Sequence, residues 1–173
     1  MKKVGKFYVV SYEQFRKDLI NITYDGENLN EAYIKDAYLN YVKVPVRSTA
    51  GSAGYDFVSP FSLTILPGGD ITIATGIHVH ITKKGWFLCL VPRSGLGFKY
   101  YTRLANTIGI VDEDYYYSSN EGHILIKIRN EGDEPLPIKA GDRIAQGIFM
   151  KYGITEDDYV TDTRDGGFGS TGK

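Results

Sequence analysis

Residues 105–124 read Ala-Asn-Thr-Ile-Gly-Ile-Val-Asp-Glu-Asp-Tyr-Tyr-Tyr-Ser-Ser-Asn-Glu-Gly-His-Ile. An apolar run, Ile108 to Val111, delivers Asp112 and Asp114 to a turn, and a second run, Ile124 to Ile128, carries the chain away. Two short apolar runs joined by a polar turn predict a β-hairpin. In extended backbone Asp112 and Asp114 point to one side with Glu113 opposed. Two carboxylates beside Tyr115 at a hairpin mouth can hold a water, a metal or a sugar. An acidic turn with no such task is simply solvated, so the choice depends on what else the chain supplies.

Outward from this stretch the chain reads as all-β. It has 173 residues, enough for one domain with a real core. Twenty glycines, fourteen tyrosines and many short β-branched runs favour strands. Turn signals recur at Pro67-Gly68-Gly69, Lys83-Lys84-Gly85, Asn130-Glu131-Gly132-Asp133 and Lys139-Ala140-Gly141-Asp142. Between them lie the runs Ile71–Ile81, Trp86–Val91, Ile124–Ile128 and Ile144–Met150. Short strands at regular spacing predict a sandwich, jelly roll or barrel. Residues 1–40 differ. Ser11 with Gln14 makes a capping box, after which Tyr12, Phe15 and Leu19 share a helical face. Asn28 with Glu31 repeats the signal ahead of a stripe of Tyr33, Ile34, Ala37, Tyr38 and Tyr41. Two short amphipathic helices joined at Asp25-Gly26 and packed on the main body are expected. The division is therefore a helical extension over 1–40, a β domain over 41–163 and a C-terminal segment over 164–173.

Bulk properties exclude several classes. Lys and Arg number 20 against 21 Asp and Glu, a formal charge of −1, so no basic excess points to nucleic acid or a membrane surface. The apolar runs are too short to span a bilayer and the start lacks a signal-peptide core, which predicts an intracellular, cytoplasmic protein. The single Cys89 lies within Trp-Phe-Leu-Cys-Leu-Val and reads as a buried strand residue, not a nucleophile. His78 and His80 share one strand face, a spacing that can bind metal, but no third ligand is evident and the structural reading is preferred.

Five segments carry polar groups that strand-turn-strand patterning does not require. Ala53-Gly54-Tyr55-Asp56-Phe57 sets an acid beside a close-packed glycine, and Pro92-Arg93-Ser94-Gly95-Leu96-Gly97 offers a guanidinium, a hydroxyl and free backbone amides. The central stretch is third, Gly141-Asp142-Arg143-Ile144-Ala145-Gln146 fourth, and the tail Arg164-Asp165-Gly166-Gly167-Phe168-Gly169-Ser170-Thr171-Gly172-Lys173 fifth. Gly167–Lys173 spells G-x-x-x-x-G-K, but a P-loop opens a helix after a strand and continues with a hydroxyl, whereas this sequence stops at the lysine. Its physics survives, because glycine backbone amides can converge on phosphate oxygens while Arg164, Ser170 and Thr171 add a fork and two hydroxyls. Phe168 argues for a segment that packs on something.

In order and spacing these segments resemble the motifs of the trimeric dUTPase family over residues 47–173. The resemblance implies a jelly-roll (β-clip) subunit in a homotrimer with sites shared between subunits. It implies hydrolysis of dUTP to dUMP and pyrophosphate, with Mg2+ on the triphosphate. By position Asp112 resembles the general base for the attacking water. Asn106 and the backbone at Gly109 and Ile110 would read the uracil edge, and Tyr115 would lie against the deoxyribose. Arg93, Ser94 and Gly95 resemble the phosphate-holding motif, Gln146 would hold phosphate or water, and Asp56 would reach the metal through bound water. Arg164, Phe168, Gly169, Ser170 and Thr171 resemble a lid, Phe168 on the base and its neighbours on the γ-phosphate. Such chemistry is mainly positioning and charge stabilisation.

Two departures stand out. Tyr116-Tyr117-Ser118-Ser119-Asn120-Glu121 precedes Gly122 where the family usually runs straight into Arg-Gly, and only Asp165 separates Arg164 from the Gly-Gly pair. Two rival readings are a dCTP deaminase of the same superfamily and a dUTPase-like module kept for binding a regulatory protein partner. The deaminases carry a glutamate on the strand after the hairpin, and His123-Ile-Leu-Ile-Lys-Ile-Arg129 has no acid. For the second rival, every residue expected of a catalyst is present.

Overall fold

The structure is a computed structural model of the chain, and it describes residues 2–22, 30–162 and 164. Strand β6 (Trp86–Pro92) runs through the middle of a four-stranded antiparallel sheet. It pairs on one side with β11 (Arg143–Lys151), itself flanked by β2 (Tyr55–Val58), and on the other with β8 (Gly109–Val111). A second sheet sets β9 (Leu125–Asn130) between β4 (Asp70–Ala74) and β7 (Thr102–Leu104). Two ribbons complete the shell, β1 (Gly5–Val9) with β5 (Ile77–Ile81) and β3 (Leu63–Ile65) with β10 (Leu136–Ile138). These open antiparallel sheets form a jelly-roll-like β fold, one of the three architectures the turn spacing allows and the one the resemblance implies.

Alternation explains which side chains fill the interior. Along β5, Ile77, Val79 and Ile81 are buried while His78 and His80 face the other way, the period of two that fixes register. Phe57, Leu88, Ile124, Ile126, Ile128, Leu136 and Ile144 are fully enclosed between the sheets. Cys89 is buried in β6, and burial raises its thiol above the ordinary range, as suits a packing residue. No helix among the described residues is long and apolar enough to cross a membrane.

The first forty residues do more than add helices. Helix α1 (Tyr12–Ile22) opens at Ser11, whose Oγ accepts the Gln14 N–H at 3.1 Å. Helix α2 (Glu31–Tyr41) is capped by Asn30, whose side chain accepts the Ala32 N–H; Asn28 and the turn at Asp25-Gly26 lie outside the described residues. Phe15, fully buried, stacks on Phe61 at 5.9 Å, and Ile34 and Ala37 are buried, whereas Tyr33 of the expected stripe is exposed. Strand β1 was not foreseen. It pairs residue for residue with β5, from Gly5 against Ile81 to Val9 against Ile77.

The central stretch corrects the hairpin expectation. Strand β8 pairs with β6, and β9 pairs with β4 and β7, so residues 105–124 cross from one sheet to another. A 3-10 helix at Glu113–Tyr117 and two successive left-handed residues, Glu121 and Gly122, turn the chain away. A Cβ on Gly122 would lie 2.7 Å from the Tyr115 carbonyl oxygen, so this corner requires glycine.

Candidate active site

Side chains of interest gather at two ends of β6. At its C-terminal end Asp56 of β2 faces Gln146 of β11, which in turn faces Val91. Asp56 is 7% exposed, and its carboxylate is held from three directions. Arg93 Nη1 donates to Oδ1, while Ser48 Oγ at 2.8 Å and Arg143 Nη1 at 3.3 Å donate to Oδ2. Two guanidiniums around one buried carboxylate leave net positive charge, the balance that suits an anionic ligand. Asp56 has about four acceptor positions, three of them used, which leaves one for a further donor such as a metal-bound water. No cluster of three or more acidic, histidine or cysteine residues forms a metal cage among the described residues.

Arg93 also starts helix α3 (Ser94–Tyr100), so Ser94 and Gly95 stand exposed on its first turn. Gln146 Nε2 reaches the Pro92 carbonyl at 3.4 Å, and Gly54 lies so close that a Cβ there would meet Gln146 Oε1 at 2.3 Å. Sequence reasoning singled out Asp56, Arg93 and Gln146. It missed Ser48, and it left Arg143 unassigned although that residue sits inside the fourth segment.

Toward the other end, β8 is the edge strand of its sheet, with one side of its backbone turned away from β6. Against it lies a groove of about 230 Å3 lined by Leu90, Leu104, Asn106, Gly109, Ile110 and Lys127. Gly109 is buried against Leu90, while Asn106 and Ile110 are exposed at the rim.

Past β8 the chain presents its acids. Asp112 is the first residue before the 3-10 helix and Asp114 lies within it. Both converge on Arg164, whose Nη2 donates to Asp112 Oδ2 at 2.6 Å and whose Nε donates to Asp114 Oδ1 at 3.0 Å. A 3-10 turn, not strand alternation, brings these carboxylates to one cation. The guanidinium lies over the Tyr115 ring, 5.6 Å from its centroid. Burial raises the Asp112 carboxyl above the ordinary range; the positive charge of Arg164 opposes this and the negative charge of Asp114 adds to it. Tyr115 is buried, donates its hydroxyl to the His123 carbonyl at 3.0 Å, and burial raises its own ionisation. Phe168, Gly169, Ser170 and Thr171 lie outside the described residues.

Within one chain the two ends do not meet. Register pairs Leu88 with Val111, so Asp112 continues toward Phe87, six residues along β6 from Arg93. At about 3.3 Å per residue the two ends stand roughly 20 Å apart.

The dUTPase family model matches residues 40–172. The deoxyuridine 5'-triphosphate nucleotidohydrolase of Desulfitobacterium hafniense (strain DSM 10664 / DCB-2) is 39% identical over 155 residues, covering 83% of this chain and 99% of that protein. The protein of the same name from Actinobacillus pleuropneumoniae serotype 5b (strain L20) is 36% identical over 141 residues, covering 78% and 90%. Among solved structures, the dUTPase from Streptococcus mutans superposes with a TM-score of 0.62 at 29% identity, covering 87% of this chain and 98% of that one.

Proposed function

Because the chain belongs to the dUTPase family, we propose that it hydrolyses dUTP to dUMP and pyrophosphate with Asp112 as the base. Water attacks the α-phosphorus, the bond to the β-phosphate oxygen breaks, pyrophosphate departs, and the water's proton passes to the Asp112 carboxylate. The single observation that carries this assignment is the Asp112 carboxylate itself: half-exposed, aimed by Arg164, and with its proton affinity raised by burial.

The remaining residues divide the work. Arg93, Arg143, Ser94, Gly95 and Gln146 take the phosphates, with Asp56 fixing the two guanidiniums. Mg2+ carried on the triphosphate would offset its charge, and Asp56 would hold it through bound water. The uracil edge, acceptor–donor–acceptor, lies along the free side of β8 at Gly109 and Ile110 and against the Asn106 amide. A cytosine edge leaves those groups unpaired, a penalty large enough for strong selection. Tyr115 excludes a 2′-hydroxyl as part of the sugar wall. Arg164, Phe168, Gly169, Ser170 and Thr171 act as the lid of segment 164–173, over a β domain at 41–163 that carries the extension 1–40.

Because the phosphate end and the base end stand about 20 Å apart on β6, each site draws them from different copies, which supports a homotrimer with shared sites. An intracellular location goes with such a nucleotide substrate. The test is pyrophosphate release from dUTP, dCTP, dTTP and UTP by the wild type and Asp112→Asn. Release from dUTP alone, abolished in Asp112→Asn while a nonhydrolysable dUTP analogue still binds, is expected. Ammonia from dCTP, or full activity in Asp112→Asn, overturns the assignment.

A further inference from the structure

Two stretches have no task in the chemistry described so far: the N-terminal extension and the lengthened segment Tyr116–Glu121. In the structure they are one unit. The Glu121 carboxylate accepts both the backbone N–H of Ser11 at 2.8 Å and its hydroxyl at 2.6 Å, joining the start of α1 to the far side of the 3-10 helix. Tyr116 lies between two histidines of β5, its ring 4.9 Å from His78 and 4.5 Å from His80, both nearly parallel. Deeper in, His123 is wholly enclosed, with Asp18 of α1 on one ring nitrogen and the Gly76 backbone on the other.

The direction of these bonds is fixed by chemistry. A backbone N–H can only donate, so His123 Nε2 accepts from Gly76 at 2.8 Å. Nδ1 therefore carries the hydrogen and donates to Asp18 Oδ2 at 2.7 Å. Gln14 Nε2 donates to the same oxygen at 2.8 Å. Burial alone would raise Asp18, but the bonds from His123 and Gln14 outweigh it and hold the carboxyl below its ordinary range. The ring of His123 cannot shift without leaving a buried donor or acceptor unpaired. Its own backbone carbonyl accepts the Tyr115 hydroxyl at 3.0 Å, and Asn120 Nδ2 donates to that hydroxyl at 3.0 Å. Tyr115 in turn carries the Arg164 guanidinium that grips Asp112 and Asp114.

We propose that Asp18 and His123 are positioning residues for the base: through the His123 carbonyl and Tyr115 they lock the 3-10 helix that directly follows Asp112. The inference rests on Asp112 acting in dUTP hydrolysis. Through Asp18 of α1 the N-terminal extension then takes a part in turnover beyond packing. Misplacing a catalytic group by an ångström costs up to about 100-fold in rate, so the effect belongs in kcat while binding of the nucleotide is spared.

The experiment compares His123→Gln, His123→Asn and Asp18→Ala with the wild type by steady-state pyrophosphate release from dUTP. A glutamine places its amide near the Nε2 position, keeping the Gly76 contact and losing the one to Asp18. Asparagine places its amide near Nδ1 and keeps the Asp18 contact. His123→Gln and Asp18→Ala should lower kcat roughly 10–100-fold with KM within about twofold. Their double variant should be no slower than either single one, since they break the same link. His123→Asn should recover most of the rate. Ile34→Val, a core change in α2, supplies a variant destabilised without touching the link, and its kcat should not change. Should Asp18→Ala not fold, Asp18→Asn keeps the volume and removes the charge, and its kcat should fall about threefold. Wild-type kcat in His123→Gln together with folded Asp18→Ala or Asp18→Asn, or a loss matched by Ile34→Val, overturns the proposal alone. A wild type that releases no pyrophosphate from dUTP overturns the reading beneath it as well.

Discussion

Arg164→Gln gives the account a prediction with a sign. In the structure Arg164 donates to Asp112 at 2.6 Å and to Asp114 at 3.0 Å, so removing its charge leaves two neighbouring carboxylates without their cation. Charge centres about 4 Å apart interact by roughly 1 kcal/mol in water and 4 kcal/mol at a protein surface. The Asp112 side chain is 48% exposed, which places the interaction near the lower value, about 0.5–1 kcal/mol after screening. One pH unit corresponds to about 1.36 kcal/mol, so losing Arg164 should raise the Asp112 carboxyl by roughly half a unit. Arg164 favours the ionised form, and a base whose proton affinity rises is lost at a higher pH as the solution is acidified. The acid limb of kcat/KM, which reports the free enzyme, should therefore move up by about half a unit in Arg164→Gln. Asp114→Asn removes a like charge that raises Asp112 and should move the limb the other way. The assay is pyrophosphate release from dUTP at limiting concentration across pH 4–8 (a window of about four units around the carboxylate range). An acid limb that stays in place in both variants, or that moves down in Arg164→Gln, refutes Asp112 as the group whose ionisation governs the rate.

Other consequences can be checked separately. Asp56→Ala leaves Arg93 and Arg143 facing each other without their shared anion, and should cost about 1.5–3 kcal/mol of stability. For a chain of this length that lowers the melting temperature by about 2–4 °C per kcal/mol, and added phosphate should restore part of it. Tyr115→Phe removes the hydroxyl that joins His123 and Asn120; denaturant unfolding should show a loss of about 0.5–1.5 kcal/mol.

Much of this arrangement is legible in the sequence, for reasons that also mark where reading stops. Alternation in Ile77–Ile81 and Ile124–Ile128 announces strands because period two is a property of the strand itself. Partner choice is not local, which is why Ile108–Val111 and Ile124–Ile128 look like a hairpin yet belong to different sheets. The Ser11 cap is readable because its donor lies three residues away. Convergence of Asp112 and Asp114 on Arg164 spans fifty residues, and the bond from Asp18 to His123 spans 105. Helix α3 holds two glycines that oppose helix propensity, so neighbouring strands and not its own residues set its shape. Arg143 was visible within its motif but its task was not, because a shared partner such as Asp56 appears only when β2 and β11 lie side by side.

If working sites join the phosphate end of one copy to the base end of another, two inactive variants should complement each other when mixed. Arg93→Ala lacks the first end and Asp112→Asn the second; each alone should release almost no pyrophosphate from dUTP. Dissociated together in mild denaturant and reassembled at equal amounts, the two should recover activity, because about a quarter of the shared sites then draw both intact ends. A mixture as inactive as its components would contradict the account.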